Sequence, residues 1–142
     1  MIVYANPHFI STLDRSLPVG SFVHIDYELR GCPINKYQLI EVINALLNNR
    51  KPNIPTNSVC SECKMNGNIC VMVSNAQPCL GPVTQAGCGS LCPSFNRGCF
   101  GCYGPMDSAN TSPLAKQFKA MGVSNFDIMS LFRSFNAYAE QF

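Results

Sequence analysis

Eight of the nine cysteines fall between Cys60 and Cys102, separated by gaps of 2, 6, 8, 8, 3, 6 and 2 residues. The run divides into two sets of four: Cys60, Cys63, Cys70 and Cys79, then Cys88, Cys92, Cys99 and Cys102. Each set contains one C-x2-C pair, which offers two thiolates to one centre from a single tight turn. Four thiolates complete one tetrahedral Zn²⁺ or one [4Fe–4S] cube, so the pattern provides for two metal centres. Seven of the ten glycines lie within residues 60–105, where Glu62, Lys64 and Arg97 are the only charged side chains. Such a segment has no periodic apolar face to drive collapse. Metal coordination is expected to supply its folding free energy.

A chain of 142 residues fits one domain, or part of a domain with a metal-folded appendage. Its apolar share of 46% can build a core, while charged residues make up only 13%, about half the usual share. So little charge implies that part of the surface is covered by something else. The net charge of +2 comes without a basic run, which excludes an evident nucleic-acid footprint. No apolar stretch approaches the roughly 18 residues of a membrane span. The start, MIVYANPHF, lacks a basic n-region, an apolar h-region and a small-residue cleavage site, so no signal peptide is expected. The expected location is therefore the cytoplasm, whose thiols stay reduced, and an odd cysteine count also argues against a disulfide framework.

Around the cysteines the chain divides into four parts. Residues 1–50 read as a partial α/β unit. Ser21 to Leu29 alternates, with Val23, Ile25, Tyr27 and Leu29 opposite His24, Asp26 and Glu28, which predicts a strand ended by Gly31-Cys32-Pro33. Asn35, three before Gln38, signals a helix start, and Leu39, Ile40, Ile43, Leu46 and Leu47 form its apolar stripe. One βα unit cannot make a sheet, so the rest of an α/β domain is expected elsewhere. Residues 51–59 read as a Pro/Asn linker and 60–105 as a loop-rich metal segment. Residues 106–142 predict two short helices. Ser112-Pro113 opens the first, with Leu114, Phe118 and Met121 on one face and Gly122 as its stop. Ser124 and Asp127 cap the second, whose buried side is Ile128, Leu131, Phe132, Phe135, Tyr138 and Phe142. The fold class expected is α+β with little regular structure.

Zinc and iron–sulfur both suit eight thiolates. Zinc sites commonly pair two close C-x2–4-C units across a long gap. Here each set has one close pair and two solitary cysteines, which suits a cube gripped by a wrapping loop. Glycines let backbone N–H groups approach cluster sulfur, and scarce charge fits a low-dielectric redox site. The pattern favours iron–sulfur and leaves zinc open.

The run Cys79-Leu-Gly-Pro-Val-Thr-Gln-Ala-Gly-Cys88-Gly-Ser-Leu-Cys92-Pro, with Arg97-Gly-Cys99-Phe-Gly-Cys102-Tyr-Gly-Pro105, resembles the small subunit of [NiFe] hydrogenases. The likeness is to the cytoplasmic group that includes sulfhydrogenase delta and F420-non-reducing hydrogenase small subunits, which are related to the 20 kDa subunit of NADH:ubiquinone oxidoreductase. It extends back through Cys60-Ser-Glu-Cys63-Lys to Val23-His-Ile-Asp-Tyr-Glu-Leu-Arg-Gly-Cys32-Pro. The resemblance implies that residues 1–50 are the end of a flavodoxin-like domain. It implies a distal [4Fe–4S] cluster on Cys60, Cys63, Cys70 and Cys79, and a medial [4Fe–4S] cluster on Cys88, Cys92, Cys99 and Cys102. Cys60 stands where the respiratory branch has histidine, and Cys92 where that branch commonly has proline and a three-iron cluster. Cys32 matches the last of four proximal ligands, but no cysteine precedes it. A third cluster would need ligands from outside this chain; otherwise Cys32 is a small buried residue at the end of the predicted strand.

The implied role is electron transfer between a Ni–Fe large subunit and a flavin- or ferredoxin-type partner, with no hydrogen-activating site and no catalytic residue in this chain. The alternatives are a zinc-binding interaction module and a stand-alone ferredoxin-like carrier. Among other residues, His8 and His24 are not needed as ligands beside eight thiolates. Asp26 and Glu28 share a predicted strand face without a nucleophile, so they are no catalytic pair. Lys64 and Arg97 either offset cluster charge, mark a partner-binding rim or are simply solvated.

Overall fold

Asn35 turns the chain into its longest helix. Its side-chain oxygen accepts the backbone N–H groups of Tyr37 (2.9 Å) and Gln38 (3.4 Å), two of the donors that a helix start leaves unpaired. Helix α1 then runs over Lys36–Leu47. The computed structural model describes residues 6–11 and 14–142, so the first five residues of the segment read for a targeting signal lie outside it.

The face that α1 buries is not the predicted one. Gln38, Val42 and Ala45 face inward, whereas Ile40, Ile43, Leu46 and Leu47 are about half exposed or more. The helix lies against loops that approach it closely and admit only a narrow contact. Gly87, at φ +135°, sits so near the Gln38 amide that any side chain there would overlap it. Beyond α1, Arg50 forms a two-pronged ion pair with Glu41 (2.6 and 2.8 Å), and the Asn53 N–H adds a third contact at 2.9 Å. These contacts fold the start of the Pro/Asn segment back onto the helix.

The predicted strand is absent, and with it the flavodoxin-like α+β assignment. Among the described residues there is no β-strand, only isolated bridges at Ser58–Gln85 and Thr84–Pro105. Ser21 to Leu29 is irregular, with Val23 and Ile25 exposed alongside His24 and Asp26. Alternation supplies a face, but a strand also needs a neighbour to take its backbone N–H and C=O groups, and no segment among the described residues pairs with it. The regular structure is helical.

The cysteine segment contains three short helices: α2 (Val59–Met65), α3 (Val71–Ser74) and α4 (Leu91–Ser94). Between them, residues 79–86 form a spine bonded on both sides. On one side, the N–H groups of Val59 and Cys60 reach the carbonyls of Thr84 and Gly81 (2.9 and 3.3 Å), and Ala86 N–H reaches Asn57 (2.8 Å). On the other, Leu80 N–H reaches Cys99 (3.0 Å), Gln85 N–H reaches Gly104 (2.9 Å) and Met106 N–H reaches Val83 (3.0 Å).

Helices α5 (Thr111–Ala120) and α6 (Asn125–Arg133) follow the sequence pattern closely. Gly122 turns between them at φ +86°, and the Ser124 hydroxyl accepts the Asp127 N–H at 3.1 Å. Leu114, Phe118, Ile128 and Phe132 pack on Leu80 and Val83 of the spine, so the pair clasps the cysteine segment. The predicted stripe overreaches at its end. The helix stops at Arg133, leaving Phe135 and Tyr138 about half exposed, while Phe142 returns to pack edge-on against Phe132 at 5.5 Å. No helix among the described residues is long and apolar enough to cross a membrane.

Candidate metal centre

Helix α2 carries the first C-x2-C pair. Residues three apart on a helix share a face, so Cys60 and Cys63 project together. Cys70 caps the start of α3, and Cys79 opens the spine. Burial first, then the nearby Cys79, Cys63 and Cys70 thiols, push the Cys60 thiol up to about 11, with Lys64 opposing them. Burial pushes Cys79 up as well, and Cys70 and Cys63 add to the rise. Thiols that disfavour one another's ionisation in this way have been brought into one neighbourhood. The four members of the first set share it.

Gly81 gives that neighbourhood its inner wall. A Cβ at this position would stand 3.3 Å from Cys79 Sγ and 3.4 Å from Cys60 Sγ. The glycine thus leaves open a space between two thiols that any side chain would fill.

The second set surrounds a cavity of about 220 Å³ whose walls include Cys88, Cys92, Cys99 and Cys102. Cys99 is the most deeply placed, and burial lifts its thiol to about 12 against the opposing hydrogen bond from Gly101 N–H. Burial also raises Cys88 and Cys102. Cys92 rides on α4, which is entered through the fully buried Ser90 in the left-handed conformation (φ +52°).

Cys32 lines the same cavity, although no cysteine accompanies it from its own part of the chain. The Tyr103 hydroxyl donates to Pro33 O (3.2 Å), and the Asn35 amide donates to Gly87 O (2.8 Å), so the Gly31-Cys32-Pro33 turn is tied beside both Cys102 and Cys88. The Cys32 backbone N–H points to the Cys102 thiol and counters its rise. Cys32 itself is exposed and follows no strand, so it is not the buried strand-end residue that the alternative expected.

The chemistry of the donors suits clusters: eight cysteine thiols, a glycine beside Cys79 and Cys60, and backbone N–H groups aimed at sulfur at Cys79 and Cys99 (3.1 and 3.5 Å). Among the described residues, no three or more His, Cys, Asp or Glu side chains are close enough to hold a single metal ion.

Sequence reasoning passed over Glu62. Its carboxylate accepts the N–H groups of Gly87 (2.8 Å) and Ser90 (3.1 Å), and the Cys88 thiol faces it at 3.9 Å. The available signal was its place as the single acid in residues 60–105. The basic residues of that segment are less engaged. Lys64 is exposed, and Arg97 lies over the Phe100 ring at 5.5 Å.

No protein-family profile matches the chain. Individual relatives do. Sulfhydrogenase 2 subunit delta of Pyrococcus furiosus is 39% identical over 103 residues, which is 72% of this chain and 44% of the relative. An F420-non-reducing hydrogenase vhu subunit of Methanocaldococcus jannaschii is 33% identical over 65% of this chain and 38% of its own length. The F420-non-reducing hydrogenase iron-sulfur subunit of Archaeoglobus profundus is 30% identical over 66% of this chain and 38% of its own length. The chain thus spans less than half of each of these relatives. Over the shared part, it is a homologue of hydrogenase subunits.

Proposed function

We propose that this chain is an electron-transfer part of a cytoplasmic [NiFe] hydrogenase small subunit. Cys60, Cys63, Cys70 and Cys79 would hold a distal [4Fe–4S] cluster, and Cys88, Cys92, Cys99 and Cys102 a medial one, within the unit 60–105. What supports this reading is a cavity lined by Cys88, Cys92, Cys99 and Cys102, in a chain homologous to hydrogenase subunits. Bound there, two such clusters supply one-electron oxidation and reduction. The chain's own residues hold the thiolates in place, exclude water from Cys79 and Cys99, and aim N–H groups at sulfur, which sets potentials.

The partners follow from the same reading: a Ni–Fe large subunit on one side and a flavin- or ferredoxin-type subunit on the other. The exposed apolar side of α1 and the low charge content are compatible with a covered surface. Cys32 would contribute to a proximal cluster only where ligands come from outside the chain.

Anaerobic purification tests the reading. A brown protein with about eight irons and eight acid-labile sulfides per chain is expected. Copurification with a nickel-containing chain separates the hydrogenase role from a stand-alone carrier. A colourless protein with about two zinc ions per chain would overturn the cluster reading in favour of a zinc module.

A further inference from the structure

Glu62 belongs by sequence to the first cysteine pair and by contact to the second set. It stands between Cys60 and Cys63 on α2, yet both its carboxylate oxygens are committed to the loop that carries Cys88. Oε1 accepts Gly87 N–H at 2.8 Å, and Oε2 accepts Ser90 N–H at 3.1 Å. Two further straps run the same way from the end of α2: Asn66 donates to Gly89 O (2.9 Å) and Ser90 Oγ (3.0 Å), and Asn68 to Ser90 Oγ (3.1 Å) and Ser94 Oγ (2.9 Å). The asparagines hold the loop without charge. Glu62 holds it with charge, and Cys88 Sγ lies 3.9 Å from Oε2.

That distance changes character on ligation. A Cys88 thiol can share its proton with the carboxylate, whereas a thiolate ligand presents sulfur to a like charge. Negative charge beside a redox centre favours the oxidised state, because reduction adds another electron to the same neighbourhood. The carboxylate also takes the Gly87 N–H and competes with Cys88 for the Ser90 N–H, and N–H groups pointed at sulfur stabilise the reduced state. Both effects have the same sign. Partial burial of Glu62 weakens solvent screening of the first.

We propose that Glu62 is a positioning residue that lowers the reduction potential of the Cys88/Cys92/Cys99/Cys102 centre by holding a fixed negative charge against Cys88. The proposal rests on the reading of the two thiol groups as cluster sites. It gives α2 a second role. The helix that presents two ligands of one centre biases the other, so the potential gap across which an electron passes is set partly at their boundary.

The test is an EPR-monitored redox titration of the full chain, purified anaerobically as wild type, Glu62→Gln and Asn66→Ala, with iron measured first. The second-set centre is identified from a parallel Cys92→Pro sample. Glu62→Gln is expected to keep its iron and to raise that centre's midpoint more than the other's, while Asn66→Ala leaves both near wild type. Unchanged midpoints, or an equal rise at both centres in iron-replete Glu62→Gln, would overturn the proposal. So would a matching rise in Asn66→Ala, which would assign the effect to a loosened loop. If Glu62→Gln sheds iron, Glu62→Asp is titrated instead. There, intact iron with a wild-type midpoint supports the charge, and a raised midpoint refutes it. Protein without iron in every sample, wild type included, overturns the cluster reading and the proposal with it.

Discussion

The backbone N–H of Cys99 points at Sγ of Cys79, 3.1 Å away, and so joins a member of each cysteine set. Leu80 N–H returns the contact to Cys99 O at 3.0 Å. The two sets are therefore interlocked through the spine and are not successive independent fingers. A change in one group of thiolates is felt at the backbone of the other.

Removing metal should first release the loops outside that spine. Residues 60–78 and 88–98 contain three short helices and little apolar core, so coordination supplies most of their order. Helices α5 and α6 keep Leu114, Phe118, Ile128 and Phe132 packed together. Hydrogen exchange on metal-loaded and metal-free protein should show lost protection in the two loops with α5 and α6 retained. Equal protection of the loops in both forms would show that they fold without metal.

Loading should be strongly pH dependent. Thiolates, not thiols, ligate, and Cys60 and Cys99 are held up to about 11 and about 12. Assembly therefore releases protons and becomes more favourable as pH rises. The metal-free fold responds oppositely. A raised folded-state thiol pKa gives stability that is fully present below about 9 and lost as pH climbs towards 11 and 12. Proton release on reconstitution in weak buffer, and denaturant unfolding of metal-free protein from pH 8 upward, measure the two halves separately. A pH-independent loading yield would contradict the first.

Much of the helical part was legible in sequence, because its determinants are local. Asn35 before Gln38 and Ser124 before Asp127 cap helices through their own side chains. Gly122 ends α5 for want of a Cβ. The alternation of Ser21 to Leu29 misled, since a strand is a property of two segments and none of the described residues pairs with it. The inward face of α1 was equally hidden. It is chosen by Gly87 and its neighbours, 49 residues beyond Gln38. Cysteine spacing drew attention to the candidate ligand positions, but it could not show that Cys32 would line the cavity beside Cys88, Cys92, Cys99 and Cys102 or that Glu62 would cross between the sets.

Gly81→Ala should cost the first centre. The added Cβ would sit 3.3 Å from Cys79 Sγ and 3.4 Å from Cys60 Sγ, inside the space the thiols surround. Iron should fall from about eight to about four per chain, with the second centre's EPR signal retained. Full iron in this variant would mean that the first centre does not lie on that side of Gly81.

Phe118→Ala should destabilise the helical clasp by about 3–5 kcal/mol, the usual cost of emptying a buried aromatic site. Phe118 is fully buried and packs with Phe132 at a ring separation of 6.2 Å. Thermal unfolding followed by far-UV circular dichroism measures the loss. Because Leu80 and Val83 belong to the same core, iron should also dissociate faster on heating. A change below about 1 kcal/mol would show that α5 and α6 are held otherwise.

Cys92→Pro should convert the second centre from four irons to three without abolishing it. Cys92 is the second residue of α4, where the backbone N–H has no partner within the helix, so proline removes no hydrogen bond there. Its carbonyl, which accepts the N–H groups of Phe95 and Arg97 at 3.0 Å each, is unaffected by the change. Cys92 already precedes Pro93 while helical, so this turn tolerates the crowding that a following proline imposes and should tolerate it again at Leu91. Cys88, Cys99 and Cys102 then remain to hold three corners. Cys32 also lines this cavity with an exposed thiol, and this makes Cys92→Pro combined with Cys32→Ala the cleaner sample. Low-temperature EPR of the oxidised double variant should show the paramagnetic three-iron signal, with iron near seven per chain against about eight in wild type. A three-iron signal in the double variant but not in Cys92→Pro alone would mean that Cys32 fills the empty position. Loss of all iron from the second centre would show that Cys92 is required for assembly, and an unchanged spectrum in both variants that it is not a ligand.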